Sequence, residues 1–430
     1  MWHAGFYDRL ARQRTLRRMK RSKCDDLSQG SLQLARAIEE ARATIFEAPW
    51  VKKSDNPEQE KAAGERQLKH QLSSALDQGF IMHDVRHPEL RLLNQHNQFG
   101  LVNPDNRYHI ANIETPGTYT LRGVRGSSAD LQIQVGAGDP GFEEGETNLD
   151  PVSLLSLDTF KVAPGEPFEI TISDSDTGGY WLSNTSEEGV EAKNILIRES
   201  FMDWNTEVGT TWYLERSDTR GMPNPPPDPE LINHQYWRAA HYLKASVESW
   251  IKLVTLLRVK FGKNKLSEPA GTKLPGQFTC AGIFPMDPDE AVIITLPRVP
   301  ARYQSVQSGD LWFNGLDYGR RQTSLNLAQA RRSCDDDGRE VYHMVLTPDE
   351  PGVANWLDPA GASTAFVYVR WQGLDADHPL TEEDYPTAKV VAFNELREHL
   401  PDSEPVFTAE DRREQLAARQ RSALRSPRGF

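Results

Sequence analysis

The chain has little from which to build a disulfide framework, a membrane span or a polyanion-binding surface. Its 430 residues hold three cysteines, Cys24, Cys280 and Cys334. They are odd in number and far apart, so they form neither a metal-ligand spacing nor a disulfide scaffold, and such sparse usage suits a reducing compartment. No apolar run approaches the ~20 residues that a bilayer-crossing helix needs. Positive charge is in deficit: 49 Lys and Arg against 62 Asp and Glu leave a net charge of -13. That argues against nucleic acid as a partner, because phosphate contacts need clustered cations. There is no Gly-x-Ser-x-Gly elbow, no phosphate-cradling glycine loop after a strand and no Cys–His metal quartet, so the standard serine-hydrolase and nucleotide-using mechanisms fall away. No cofactor and no metal is expected.

The polar character is general, with a mean hydropathy of -0.62, yet ten tryptophans provide material for a core. Basic residues gather at the two ends, from Arg9 to Lys23 and from Arg412 to Arg428. An arm that touches an acidic surface or a partner subunit would look like this, and so would a solvated tail, which is the usual fate of a charge run. The first stretch lacks the continuous apolar core of a secretory signal, so the expected location is cytoplasmic.

Apolar positions at helical spacing mark one helix through Leu34, Ile38, Ala41 and Ile45, and another from about Pro57 through Leu68, Leu72 and Leu76. Short strands punctuated by Gly, Asp and Pro follow. The Tyr108–Ile113 and Tyr119–Val124 runs flank Pro116-Gly117 and read as a hairpin. Met222–Pro229 is a stiff proline-rich connector that delivers a long helix to about Lys260, with Asp228 as its cap. Strands then resume, among them 278–283, 291–296, 302–306, 310–316, 341–346 and 365–371. A last helix starts at Thr408 with Asp411 three residues on, and its composition is polar all round. The fold class is therefore mainly β with helical additions (α+β), in jelly-roll or β-sandwich domains. It carries an N-terminal helical pair, a long central helix and an exposed C-terminal helix. By these signals the chain divides at 1–100, 101–221, 222–262, 263–400 and 401–430.

Several acidic or histidine-bearing stretches fail as metal sites. His83 and His87 stand four apart, but Pro88 disfavours helix at His87. Asp174–Gly178 lacks the later ligands of a calcium loop and reads as a hairpin turn, and Asp139–Glu146 has no ligand spacing. Asp337-Gly338 is a hairpin signal in its own right.

The stretches Leu311–Tyr318, Thr323–Asn326, Gly352–Asp358 with Gly361, and Arg370-Trp371 resemble the domain-of-unknown-function family numbered 1214. Asn103–Tyr108, Gly117–Gly123 and Ile197–Trp204 fit its longer members, so the resemblance runs from about Asn103 to Ala392. Glu350 and Ala354 depart from the family's Asp and Pro. The resemblance implies a β-rich jelly-roll or sandwich fold, often with a helical region and oligomers, and no settled chemistry.

Candidate catalytic groups are Asp358, Asn355 and Asp203. Candidate substrate-binding groups are Arg370, Trp356, Trp371, Arg198 and Trp204. A carboxylate, an amide and a guanidinium on one rim would orient a polar substrate group, and a buried carboxylate would serve acid–base chemistry. The competing account is that Asn355 and Asp358 stabilise turns through backbone bonds while the tryptophans fill the core. Three functions stay open: an enzyme doing cofactor-independent acid–base chemistry (hydrolysis, elimination or isomerisation) on a small, partly apolar substrate; a non-catalytic small-molecule or glycan binder; and a structural protein whose helical ends hold a homo-oligomer.

Overall fold

The computed structural model describes residues 29–425, apart from 55, 99, 139–140, 142–149, 227, 336, 376 and 403. The basic N-terminal arm, Cys24, Arg428 and all but residue 141 of the acidic 139–146 stretch lie outside the described residues.

Three helices form one layer. α1 (Gly30–Phe46) buries Leu34, Ala37, Ala41 and Ile45 along one stripe. α2 (Pro57–Leu76) starts where the Asn56 side chain accepts the Gln59 amide at 3.3 Å. α3 (Pro229–Lys260) starts likewise, with Asp228 Oδ1 accepting from the Leu231 amide at 2.8 Å. Their stripes meet around Trp312, which reaches in from a loop of the second β unit. Its Nε1 donates to Glu60 Oε2 on α2 at 3.0 Å, so the deepest aromatic in the helical core has its one polar atom satisfied.

The first sandwich faces two sheets. One runs β1 (Arg91–Leu93), β2 (Asn106–Asn112), β8 (Asn194–Ser200), β4 (Asp130–Gly136), β5 (Pro151–Ser156). The other runs β7 (Tyr180–Ser183), β6 (Pro167–Ser173), β3 (Tyr119–Val124), β9 (Thr211–Arg216). Ile133, Ile195 and Ile197 from the first meet Tyr119, Leu121, Ile170 and Leu214 from the second. The second sandwich repeats the plan. One sheet is β10 (Ala270–Gly271), β11 (Phe278–Pro285), β18 (Thr364–Leu374), β13 (Ala301–Asp310), β14 (Ser324–Asn326). Opposite it lie β15 (Ser333–Cys334), β16 (Glu340–Leu346), β12 (Glu290–Pro297) and β19 (Thr387–Ala392), with β17 (Trp356–Leu357) parallel to β16. Cys280, Ile294, Val306, Met344, Val367, Val369 and Trp371 fill the core between them. The α+β sandwich architecture expected from the sequence is thus present.

Three local readings are corrected. The strands on either side of Pro116 are not a hairpin: β2 pairs with β1 and β8, whereas β3 pairs with β6 and β9. They face each other across the core, and strand–turn–strand spacing is the same for facing as for pairing. The Asp174–Gly179 loop is not a hairpin turn either, since β7 runs parallel to β6. Gly178 and Gly179 both take positive φ, at 78° and 72°, and let the loop double back. Residues 311–316 are no strand but a loop locked by its own side chains. Asp310 Oδ1 accepts from the Trp312 and Asn314 amides at 3.0 and 3.1 Å, which pulls the backbone off the ladder.

The last helix, α4 (Ala409–Arg425), is capped as expected: the Asp411 amide donates to Thr408 Oγ1 at 3.1 Å and the Thr408 amide to Asp411 Oδ2 at 2.8 Å. Most of its surface faces solvent, but the basic residues are not simply a solvated tail. Arg412 and Arg419 are buried anchors, while Arg413 and Arg421 point outward. Arg419 donates to Tyr318 O at 2.7 Å and Ser324 Oγ at 2.9 Å, with its guanidinium 4.6 Å over the Trp204 ring. Arg412 pairs with Glu350 at 3.0 Å and lies 5.2 Å over Trp356. Planar, weakly hydrated guanidinium tolerates such burial against rings, so a helix polar all round still docks within its own chain.

Candidate functional site

Most of the polar groups proposed for chemistry turn out to be occupied by the backbone. Asn355 is buried, and its amide both accepts from the Arg331 N–H and donates to the Arg331 carbonyl, each at 2.7 Å. Asp358 caps the turn at the Ala360 amide (2.7 Å) and pairs with Arg321 (2.7 Å). Trp356 Nε1 donates to Thr347 O at 3.1 Å. Asp203 accepts from the Thr206 hydroxyl at 2.6 Å and the Asn205 amide at 2.8 Å. Those bonds, the Thr206 hydroxyl foremost, hold its carboxyl below the usual carboxylate range, the wrong direction for a base poised near neutrality. Trp204 Nε1 donates to Asp105 Oδ1 at 2.7 Å, inside a buried cluster completed by Tyr303 and Asn326. None of these five residues lines the cleft that the remaining candidates share.

Arg198, Arg370 and Trp371 do come together. They line a half-open cleft of about 190 Å³ between the two sandwiches, with Leu101, Asn106, Tyr108, Phe313, Tyr368 and Gln372. Strand alternation puts them there. On β8, Ile195 and Ile197 point into the first core, so Arg198 and Ser200 point out. On β18, Val367, Val369 and Trp371 point into the second core, so Tyr368, Arg370 and Gln372 point out. The ring of Trp371 therefore belongs to the core and only edges the cleft. The two outward faces are stapled beside it: Ser200 Oγ donates to Gln372 Oε1, Gln132 Nε2 to Pro275 O at 3.3 Å, and Arg302 pairs with Asp130 at 2.8 Å and Asp158 at 2.6 Å.

Arg198 Nη1 donates to Gln134 Oε1 at 2.7 Å, and burial pulls its guanidinium below the usual arginine range. Arg370 donates to Gln307 Oε1 at 2.5 Å and Leu101 O at 3.0 Å, and stacks 4.4 Å over the Tyr368 ring. Neither arginine pairs with a carboxylate among the described residues. Among the described residues no Asp, Glu, His, Cys or Lys lines the cleft, and no cluster of metal-binding side chains occurs. Sequence reasoning missed Asn106, Tyr108, Tyr368 and Gln372. Their signal was present: polar residues at every second position of β18 oppose a continuous apolar face, which a strand with one face in water does not require of tyrosine or arginine.

Fold and cleft together define an α+β protein of two β-sandwiches joined through their outward sheet faces, with a helical layer. The sequence matches no protein-family model and no curated protein. Among solved structures it is similar to an uncharacterised protein from Burkholderia cenocepacia, with 24% identity and a TM-score of 0.72 over 86% of this chain and 99% of that one. At that identity the likeness speaks to the fold alone. A protein from Vibrio parahaemolyticus aligns over 76% of this chain and 98% of its own at 12% identity, with a TM-score of 0.40.

Proposed function

We propose that this chain is a non-catalytic small-molecule-binding protein whose site is the cleft between the sandwiches. One observation carries the reading: the cleft is lined by guanidinium, amide and aromatic groups and by no carboxylate, imidazole, thiol or amine able to trade protons near neutral pH. The enzymatic alternative relied on Asp358 and Asp203, which serve turns elsewhere. Clefts between domains are common ligand sites, and this volume suits a compact molecule rather than a polymer. The family-1214 resemblance fits the same reading as a mark of the fold, since Asn326, Asn355 and Asp358, which carry it, hold loops in place.

Saturation-transfer NMR with a library of small organic probes tests the site. Probes are expected to bind the wild type and the Asp358→Asn variant alike, and Thr279→Trp, which fills the cleft, is expected to abolish binding. Conversion of a bound probe that stops in Asp358→Asn or Asp203→Asn would restore the enzymatic reading.

A further inference from the structure

The arrangement of donors around the cleft narrows the ligand class, on the reading that the cleft is a binding site. Of the three amides that line it, Asn106 and Gln372, which flank the arginines in the lining, have their acceptor ends consumed within the protein. Asn106 Oδ1 accepts from Asn103 Nδ2 at 2.9 Å, and Gln372 Oε1 accepts from Ser200 Oγ. The amide nitrogens of Asn106 and Gln372 have no partner among the described residues. Arg198 spends one nitrogen on Gln134 Oε1, and Arg370 spends two, on Gln307 Oε1 and Leu101 O. The acceptors that hold the arginines are uncharged, so no carboxylate bonded to either guanidinium offsets its charge at the wall of the cleft.

Guanidinium is a fork of five N–H groups, and one or two neutral acceptors leave most of that fork unmatched. A wall on which Arg198, Arg370, Asn106 and Gln372 keep free donors and offer no free side-chain acceptor is complementary to a group that only accepts. Desolvating two arginines without a counter-ion is costly, and a bound anion relieves that cost in proportion to its charge. The walls add a second requirement. Tyr108 lines the cleft together with the Phe313–Tyr368 pair, whose rings meet edge to face at 6.3 Å. The guanidinium stacked on Tyr368 presents its edge, not its face, to an incoming oxyanion.

We propose that the ligand is a small organic oxyanion with a flat, unsaturated body: its acidic group sits between Arg198 and Arg370, and its body lies against Tyr108, Phe313 and Tyr368. A carboxylate and a phosphate share the head-group chemistry, and the volume of about 190 Å³ admits roughly ten non-hydrogen atoms, the size of a monocyclic aromatic acid.

Benzoate, its neutral isostere benzamide, phenyl phosphate and inorganic phosphate are titrated by calorimetry into the full chain at low and moderate salt. Benzoate or phenyl phosphate is expected to bind at least tenfold more tightly than benzamide and than inorganic phosphate, with affinity falling as salt rises. Arg198→Gln, at a partly buried position whose bond to Gln134 the new amide can keep, is expected to lose that preference while its unfolding midpoint stays near wild type. Arg321→Gln, whose side chain faces solvent beside Asp358, is expected to change neither. Equal binding of benzoate and benzamide would overturn the oxyanion assignment and leave the binding site standing. Inorganic phosphate binding as well as phenyl phosphate would overturn the flat body. Absence of binding by all four, together with silence of the wider probe library at the Thr279→Trp-sensitive site, would overturn the binding reading itself.

Discussion

Asn355 shows how a polar residue among tryptophans reads as chemistry and acts as carpentry. Its side-chain amide exchanges two bonds with the backbone of one residue, Arg331, and is almost sealed from water. Removing it takes away two hydrogen bonds of about 0.5–1.5 kcal/mol each, a loss of about 1–3 kcal/mol. Asn355→Ala is therefore expected to lower the unfolding free energy from urea titration by that amount without altering ligand affinity in the cleft. A variant of normal stability that no longer binds ligand would place Asn355 back in the site. The same distinction was legible only in part from sequence. Asx turn chemistry accounts for Asp358 and Asp203 by residue type and spacing alone. The identity of Asn355's partner, 24 residues away and on no common element, is set by packing.

At the scale of elements, strand positions and caps were readable because they depend on neighbours in sequence. Asp228, Asn56 and Thr408 cap the helices that follow them. What failed was pairing: the strands beside Pro116 belong to different sheets, and β7 joins β6 in parallel. The fate of α4 was also hidden, because charged residues carry no label for burial. Arg419 lies between Trp204 and the Tyr318 carbonyl, and burial lowers its pKa to about 10 while the nearby Asp105 opposes that shift. Its bonds are of the charged kind, worth about 1.5–3 kcal/mol each. Arg419→Met is expected to destabilise the chain by at least about 2 kcal/mol, whereas Arg413→Ala and Arg421→Ala, which remove the same charge from exposed positions, should stay within about 0.5 kcal/mol. Equal effects in thermal or urea unfolding would show that net charge, not docking, governs this helix.

For the whole molecule, buried histidines contribute to the response to acid. Burial pushes His70 and His109 down to about 3 and His234 to about 4. His70 is held neutral between Asn314 Oδ1 at 3.2 Å and Gln98 Nε2 at 3.4 Å, where Nδ1 donates and Nε2 accepts. Unfolded, each histidine would take a proton below its ordinary value of about 6.5, so the unfolded chain binds more protons between there and pH 3–4. Stability is therefore present above pH 6.5 and is lost on acidification, by up to about 1.4 kcal/mol per pH unit for each group. The carboxyls of Asp130 and Asp310, raised by burial, act in the opposite sense. The difference between wild type and His109→Gln cancels them. Urea unfolding at pH 7, 6 and 5 is expected to show a shallower acid loss in the variant by about one histidine's share; parallel curves would mean that His109 takes up its proton alike in the folded and unfolded chain.

Composition, periodicity and turn chemistry sufficed to specify an α+β chain of short strands with a long capped helix, because those properties act between residues close in sequence. They also placed Arg198 and Arg370 on strands. Only the tertiary structure decided that the outward faces of β8 and β18 meet, and that meeting makes the cleft. Side-chain alternation determines which residues leave a sheet together, but which sheet they find opposite is settled by the packing of two separately filled cores.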